Sequence, residues 1–319
     1  MNYDPLYFRS EEIGYKIQQV MGITDLKVVM DAIFQPYKNR VPNVNKVSDA
    51  MIAEGIIAHE MEINNDHIAF RTLGVPHLGL ASLEKIFLHY GYEKRDAYSF
   101  EEKKLNAHWY APPEERYPRI FISELRVEDF SERTQGIVKK YTRNIKADPV
   151  DQLDFSKPEE VGAFFHKPLW ELPTKADYMA LLKESEYAAW VIYNRYYLNH
   201  YTISVHDLPK EYNTLEQFNT FLETIGLVLN TSGGKIKTSP DGLLKQSSSV
   251  AEMVEAEFAQ GEKMKIAGSY VEFAERLPLL QYKDLPRETI QRKHRRDGFE
   301  SGNADKIFES TYSEQTQNV

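Results

Sequence analysis

Apolar residues recur three and four positions apart through much of residues 6–62, and the runs "LKVVMDAIFQPY" and "VSDAMIAEGIIAHEME" predict helices there. Asn45 and Ser48 are candidate caps near the start of the second run. The period then changes. "DHIAFRTL" alternates and predicts a strand, "LASLEKIFLHYGY" returns to helical spacing, and "KKLNAHWYAP" and "YPRIFISELRV" alternate again. Residues 127–198 read as helical through "FSERTQGIVKKYTRNIK", "KPEEVGAFFHKPLW" and "TKADYMALLKESEYAAWVIYNRYYLN". "NHYTISVHDL" alternates once more, and "NTLEQFNTFLETIGLVLN" reads as a capped amphipathic helix running into a strand. "SGGKIKTSPDGLLKQSSSV" carries two turn signals, and "MKIAGSYVEFAERL" predicts one closing strand.

A strand–helix–strand–strand–strand order therefore occurs twice, and each copy opens on a histidine preceded by a polar residue, in "DHIAFRTL" and "NHYTISVH". The predicted fold is α+β, with paired βαβββ modules forming one curved, half-open mixed sheet and extra helices at the N-terminus and centre. A single compact domain is expected over residues 1–319. Within it, 1–62 is an N-terminal helical part, 63–126 the first module and 127–198 a helical insertion. Residues 199–278 form the second module and 279–319 a C-terminal segment, whose basic run "RKHRR" reads as a solvated helix face.

Alternation places His67, Ala69 and Arg71 on one face of the first strand, His200, Thr202 and Ser204 on one face of another, and Tyr270, Glu272, Ala274 and Arg276 on one face of the last. A small residue follows two places after His67, His200 and Glu272, which leaves open space where a packed core would want bulk. Two imidazoles and one carboxylate suit a divalent metal with positions left for substrate or oxygen, the arrangement associated with non-haem Fe(II) and accepted also by zinc. The alternative is a set of satisfied core residues. Arg71 lies ~13 Å along the strand from His67, and its guanidinium suits the far carboxylate of a metal-chelating acid. The rival reading of Arg71 is a buried ion pair with Glu124 or Glu272. Arg276 either adds a second charge to this wall or pairs with Glu275 outside it. Glu124 is a runner-up ligand, as the apparent twin of Glu272 in the first copy. His206 is ~20 Å from His200 along an extended strand, too far to share one ion.

Composition narrows the classes. The net charge of −9 gives no reason to favour nucleic acid. The absence of cysteine excludes disulfides, cysteine nucleophiles and iron–sulfur ligation. No window approaches the ~18 apolar residues of a membrane span, and "MNYDPLYFRSEEIGYKIQ" lacks a signal-type apolar core. A cytosolic protein without nucleic-acid or membrane partners is expected. No phosphate-cradling loop, nucleophile elbow or zincin motif occurs.

The segments "HIAFRT", "NHYT" and "GSYVEFAER", in this order, resemble the 2-oxoadipate dioxygenase/decarboxylase family, which is related to the vicinal oxygen chelate fold. The resemblance covers residues 5–312, and "GFESGNADKIFEST" is similar to the family's final segment. It implies His67, His200 and Glu272 as ligands of Fe(II), and Arg71 as the substrate-binding arginine. It also implies conversion of 2-oxoadipate and O₂ to 2-hydroxyglutarate and CO₂. A further contact to the distal carboxylate is expected near Ser301–Asn303, with Gly302 the nearest match. Two alternatives stay open: a metal-dependent isomerase or lyase of the glyoxalase type, and a non-catalytic ligand-binding member of the fold.

Overall fold

The computed structural model describes residues 24–317; the expectations for residues 6–23, for the N-terminal leader reading and for the last two residues lie outside them. Helix α1 covers residues 24–40 and breaks at Val41, because Pro42 has no N–H to continue the ladder and opens α2 (Pro42–Ala53) instead. Asn45 and Ser48 therefore lie inside α2 rather than capping it.

Strand β1 (Asn65–Leu73) leads through α3 (Leu80–His89) to β2 (Glu93–Phe100), β3 (Leu105–Ala111) and β4 (Arg119–Leu125). Helices α4 (Glu132–Thr142), α5 (Pro158–Phe164), α6 (Lys175–Leu182) and α7 (Glu186–Asn194) follow. Strand β5 (His200–Ser204), α8 (Leu215–Thr224), β6 (Lys237–Thr238) and β7 (Leu244–Ser248) come next. After them, β8 (Met253–Glu257) and β9 (Lys263–Ala267) form a separate hairpin before β10 (Tyr270–Arg276) and α9 (Ser301–Phe308). The expected single strand over "MKIAGSYVEFAERL" is thus two strands in two sheets. Local alternation shows which way side chains point but not which neighbour a strand will find.

The main sheet runs β2-β3-β4-β1-β5-β10-β7-β6. Each half has the same logic, since β1 pairs parallel with β4, β5 pairs parallel with β10, and β1 and β5 meet antiparallel at the centre. This is the expected α+β arrangement of two modules in one curled half-barrel, with the β8–β9 hairpin inserted in the second.

The outward face is the apolar core. Phe70 packs on Phe87 and Phe165 with ring centroids 5.6 and 5.0 Å apart, and Phe273 packs on Phe218 at 5.4 Å. Each such ring is worth roughly 1.5–3 kcal/mol of burial. Strand β1 is buried on both faces from Asp66 to Leu73. Its alternation therefore separates an apolar interior from a polar one, and that polar interior must be satisfied by partners or by a ligand. The basic run at Arg292–His294 is a single 3₁₀ turn rather than a solvated helix face, with Arg292 donating to the carbonyls of Glu115 and Tyr117. Among the described residues no helix is long and apolar enough to cross a membrane.

Candidate active site

His67, His200 and Glu272 come together. Their ligand atoms lie within 4.8 Å of one another, and all three residues are buried. Glu272 Oε2 stands 3.0 Å from His200 Nε2, and Oε1 stands 3.4 Å from His67 Nε2. The register explains the convergence: His200 faces Ala69 on β1 and Tyr270 on β10, so its imidazole sits between the two flanking strands. Among the described residues no other histidine joins a group of this kind.

Both imidazoles are oriented from behind. His67 Nδ1 donates to Asp66 Oδ1 at 2.9 Å, and His200 Nδ1 lies 3.0 Å from Asn199 Oδ1. With hydrogens on Nδ1, each Nε2 presents a lone pair to the centre, as metal-binding histidines do. The Thr202 hydroxyl, 3.0 Å from His67 Nε2, is placed to donate to it. Phe299 packs edge-on against His67 at 4.8 Å, and Tyr270 stacks on His200 at 4.7 Å.

Electrostatics follow from this packing. Burial pushes the Asp66 carboxyl up, but the guanidinium groups of Arg276 and Arg119 outweigh it and hold Asp66 well below the usual carboxylate range. Burial likewise opposes ionisation of Glu272, and the facing histidines reverse the sign. His67, between Glu272 and Asp66, is raised despite its burial, whereas burial lowers His200.

Arg71 is buried at the other end of the same cavity. It donates from Nη1 to Thr311 Oγ1 at 2.9 Å and from Nη2 to the Phe308 carbonyl at 3.0 Å, and it lies over the rings of Tyr187 and Trp190. Among the described residues no carboxylate forms an ion pair with it, so the buried-pair reading with Glu124 or Glu272 does not hold. Glu124 faces the helices instead, where Oε2 accepts from Leu80 N at the start of α3. Gly79 permits that approach: its φ is +87°, and a Cβ there would stand 2.2 Å from Glu124 Oε2. By strand register the counterpart of Glu272 in the first module is Phe121, not Glu124, because His67 faces Arg119 as His200 faces Tyr270.

Two further expectations are corrected. Arg276 is not on the cavity wall. Strands β1 and β10 run in opposite directions across β5, so Arg71 and Arg276 end on opposite sides of the metal ligands, and Arg276 meets Asp66. It does not pair with Glu275, which accepts from Leu215 N. Gly302 is exposed, with open space beside its Cα, and does not line the cavity. The same helix contributes Ala304, Ile307 and Phe308 instead.

Sequence reasoning assigned no role to Asp66, Asn199, Gln246 or Phe299. A signal existed for the first two, since each histidine is preceded by a polar residue and that residue proves to be the partner of its Nδ1. Gln246 donates to Glu272 Oε1 at 2.7 Å from the neighbouring β7, which only strand pairing reveals. Three buried polar atoms on the cavity lining have no hydrogen-bond partner: Glu272 Oε2, Asn199 Nδ2 and Arg71 Nε. Such atoms are rare in folded proteins, and three of them on one cavity lining suit a site that takes a polar ligand.

The chain also resembles known proteins over most of its length. The family model described as 2-oxoadipate dioxygenase/decarboxylase matches residues 29–289. A chloroplastic 2-oxoadipate dioxygenase/decarboxylase of Arabidopsis thaliana is 44% identical over 290 residues, covering 88% of this chain and 75% of the relative. The crystal structure of the Oryza sativa hydroxyglutarate synthase in complex with 2-oxoadipate superimposes with a TM-score of 0.83 at 40% identity, covering 92% of this chain and 94% of that one. A glyoxalase-superfamily protein of Ralstonia eutropha, 24% identical with a TM-score of 0.67, shares the fold over 86% of this chain and 85% of its own. The cytosolic expectation is overturned by the chloroplastic relative. Charge near the N-terminus and a lack of cysteine do not distinguish one reducing compartment from another. The matched span and the identity make the assignment plain: the chain belongs to the 2-oxoadipate dioxygenase/decarboxylase family.

Proposed function

We propose that this enzyme converts 2-oxoadipate and O₂ to 2-hydroxyglutarate and CO₂, with His67, His200 and Glu272 holding Fe(II) and Arg71 gripping the distal carboxylate of the substrate. The observation that carries the reading is Arg71. A buried guanidinium without a carboxylate partner, in the cavity that holds two lone-pair imidazoles and an orphaned carboxylate oxygen, asks for an acid between them. The donor set supports the metal: two imidazoles, which bind a metal in their neutral form, and a carboxylate on one side suit non-haem Fe(II) with positions left open. When bound, iron supplies O₂ activation and polarises the 2-oxo group.

The chain's own residues then have separable tasks. Asp66 and Asn199 fix the two rings so that Nε2 faces the centre. Gln246 holds one oxygen of Glu272 and leaves the other free. Arg71 sets substrate orientation, and Asn199 Nδ2 offers one more donor to the same space. Phe121, Phe299, Ile307 and Phe308 line the remainder and exclude water. The reaction balances without a further reductant, since both atoms of O₂ end in 2-hydroxyglutarate and CO₂.

The test is anaerobic reconstitution with Fe(II), then an oxygen-electrode trace on a panel of 2-oxo acids. Uptake with 2-oxoadipate, matched by equal 2-hydroxyglutarate and CO₂, is the expected result. Conversion of substrate without oxygen uptake would instead place the chain with the glyoxalase-type isomerases and lyases.

A further inference from the structure

Beneath Asp66, on the side away from the triad cavity, lies a second cavity of about 300 Å³. Five arginines line it, Arg116, Arg119, Arg276, Arg292 and Arg295, together with the acidic groups Asp66, Glu115 and Asp207 and the imidazole of His206. Some of this charge is internally matched. Arg276 and Arg119 hold Asp66, Arg119 also pairs with Asp297 at 2.6 Å, and Arg116 pairs with Glu114 at 2.9 Å. Arg292 and Arg295 are different. Each donates to main-chain carbonyls, and among the described residues neither has a carboxylate within ion-pair distance.

Arg119 supplies the second observation. It is 2% exposed, lines this cavity, and its Nη2 has no hydrogen-bond partner. Burial and the facing Arg276 push its guanidinium down to about 10, against the pull of Asp66. Burial and the Arg276 charge together outweigh the carboxylates that Arg119 meets. A guanidinium fork with a spare N–H is the group that recognises carboxylate or phosphate oxygens.

We propose that this cavity is a binding site for a small doubly charged oxyanion, a dicarboxylate or a phosphate, held by Arg119, Arg292 and Arg295. Its size suits such a ligand, being at the lower end of small-molecule sites. The site is distinct from the triad cavity, with which it shares no lining residue, although Asp66 forms its roof and orients His67 from there. The proposal does not depend on the reaction assigned to the triad, so it stands or falls separately.

The experiment is calorimetric titration of the metal-loaded full chain in an Arg71→Met background, which removes the arginine of the triad cavity. Inorganic phosphate and glutarate are the probes, at constant ionic strength set with chloride. One equivalent of at least one probe is expected to bind, and adding Arg292→Gln with Arg295→Gln should weaken it by about tenfold or more. A preference for phosphate or for glutarate identifies the source of the anion. Arg292→Lys with Arg295→Lys keeps the charge but loses the fork, and is expected to bind more weakly than the parent while the fold persists by circular dichroism. Absence of binding by both probes, or binding that neither arginine pair alters, overturns the proposal.

Discussion

Arg276 closes on Asp66 as a fork, Nε to Oδ2 at 2.7 Å and Nη2 to Oδ1 at 2.9 Å, and both residues are fully enclosed. The same Oδ1 accepts from His67 Nδ1, so an ion pair at the end of the sheet sets the direction of a candidate metal ligand. Removing the carboxylate has two separable consequences. Asp66→Ala leaves Arg276 buried without its partner, which costs about 3–5 kcal/mol of stability, read from denaturant midpoints. It also releases the His67 ring, and metal affinity is expected to fall about 10–100-fold. Asp66→Asn keeps the shape and loses the charge, so the loss of affinity should be smaller.

Substitution of Arg71 by Met should act on substrate and leave the metal alone. Loss of one partner of a buried charge-assisted pair costs about 2–5 kcal/mol, read as the dissociation constant for 2-oxoadipate under anaerobic conditions. Fe(II) affinity should be unchanged. Equal weakening of both would mean that Arg71 supports the fold through Thr311 and Phe308 rather than the acid.

His206 predicts an acid-side loss of stability. Burial pushes it down to about 4, with the Arg295 and Arg276 charges adding to the shift and Asp207 and Asp66 opposing it. The folded chain therefore resists a proton that the unfolded chain accepts near the ordinary 6.5. Stability from this group is fully present above pH 6.5 and is lost as pH falls toward 4, by on the order of 3 kcal/mol. His206→Gln should flatten the unfolding free energy over that window. An unchanged slope would contradict the assignment.

The triad cavity leaves only about 20 Å³ to the centre of a water-sized sphere, roughly one water and far less than a six-carbon diacid. Its wall includes Phe299 and the α9 residues Ala304, Ile307 and Phe308, and Arg71 is held by Phe308 and Thr311 from the same segment. Entry of substrate must move this segment. Amide exchange over residues 299–311 should slow when 2-oxoadipate binds anaerobically to the metal-loaded chain. Protection changes confined to other segments would contradict this route.

Much of the site was legible because strand alternation is a local property. "DHIAFRTL", "NHYTISV" and "YVEFAER" place His67, Arg71, His200 and Glu272 on their proper faces without any knowledge of the partner strands. The paired-module sheet was also legible, but the residues that were misplaced depended on which strand meets which, and in what register. Glu124 looked like the twin of Glu272 until the register paired Phe121 with that position. Arg276 shares a face with Glu272, yet the opposed directions of β1 and β10 carry it to Asp66. Strand β2 was hard to see for another reason: it is an exposed edge strand with almost no apolar alternation. Gly302 was placed by a segment match, whereas the helix turns its neighbours Ile307 and Phe308 to the cavity.

The central claim is that one divalent ion is held jointly by His67, His200 and Glu272. Anaerobic titration with Fe(II), followed by metal analysis after desalting, tests it in the parent chain and in His67→Ala, His200→Ala and Glu272→Ala. One equivalent per chain in the parent, lost in each variant while the fold persists by circular dichroism, is the predicted result. Retention of a full equivalent in any one of the three variants would contradict it.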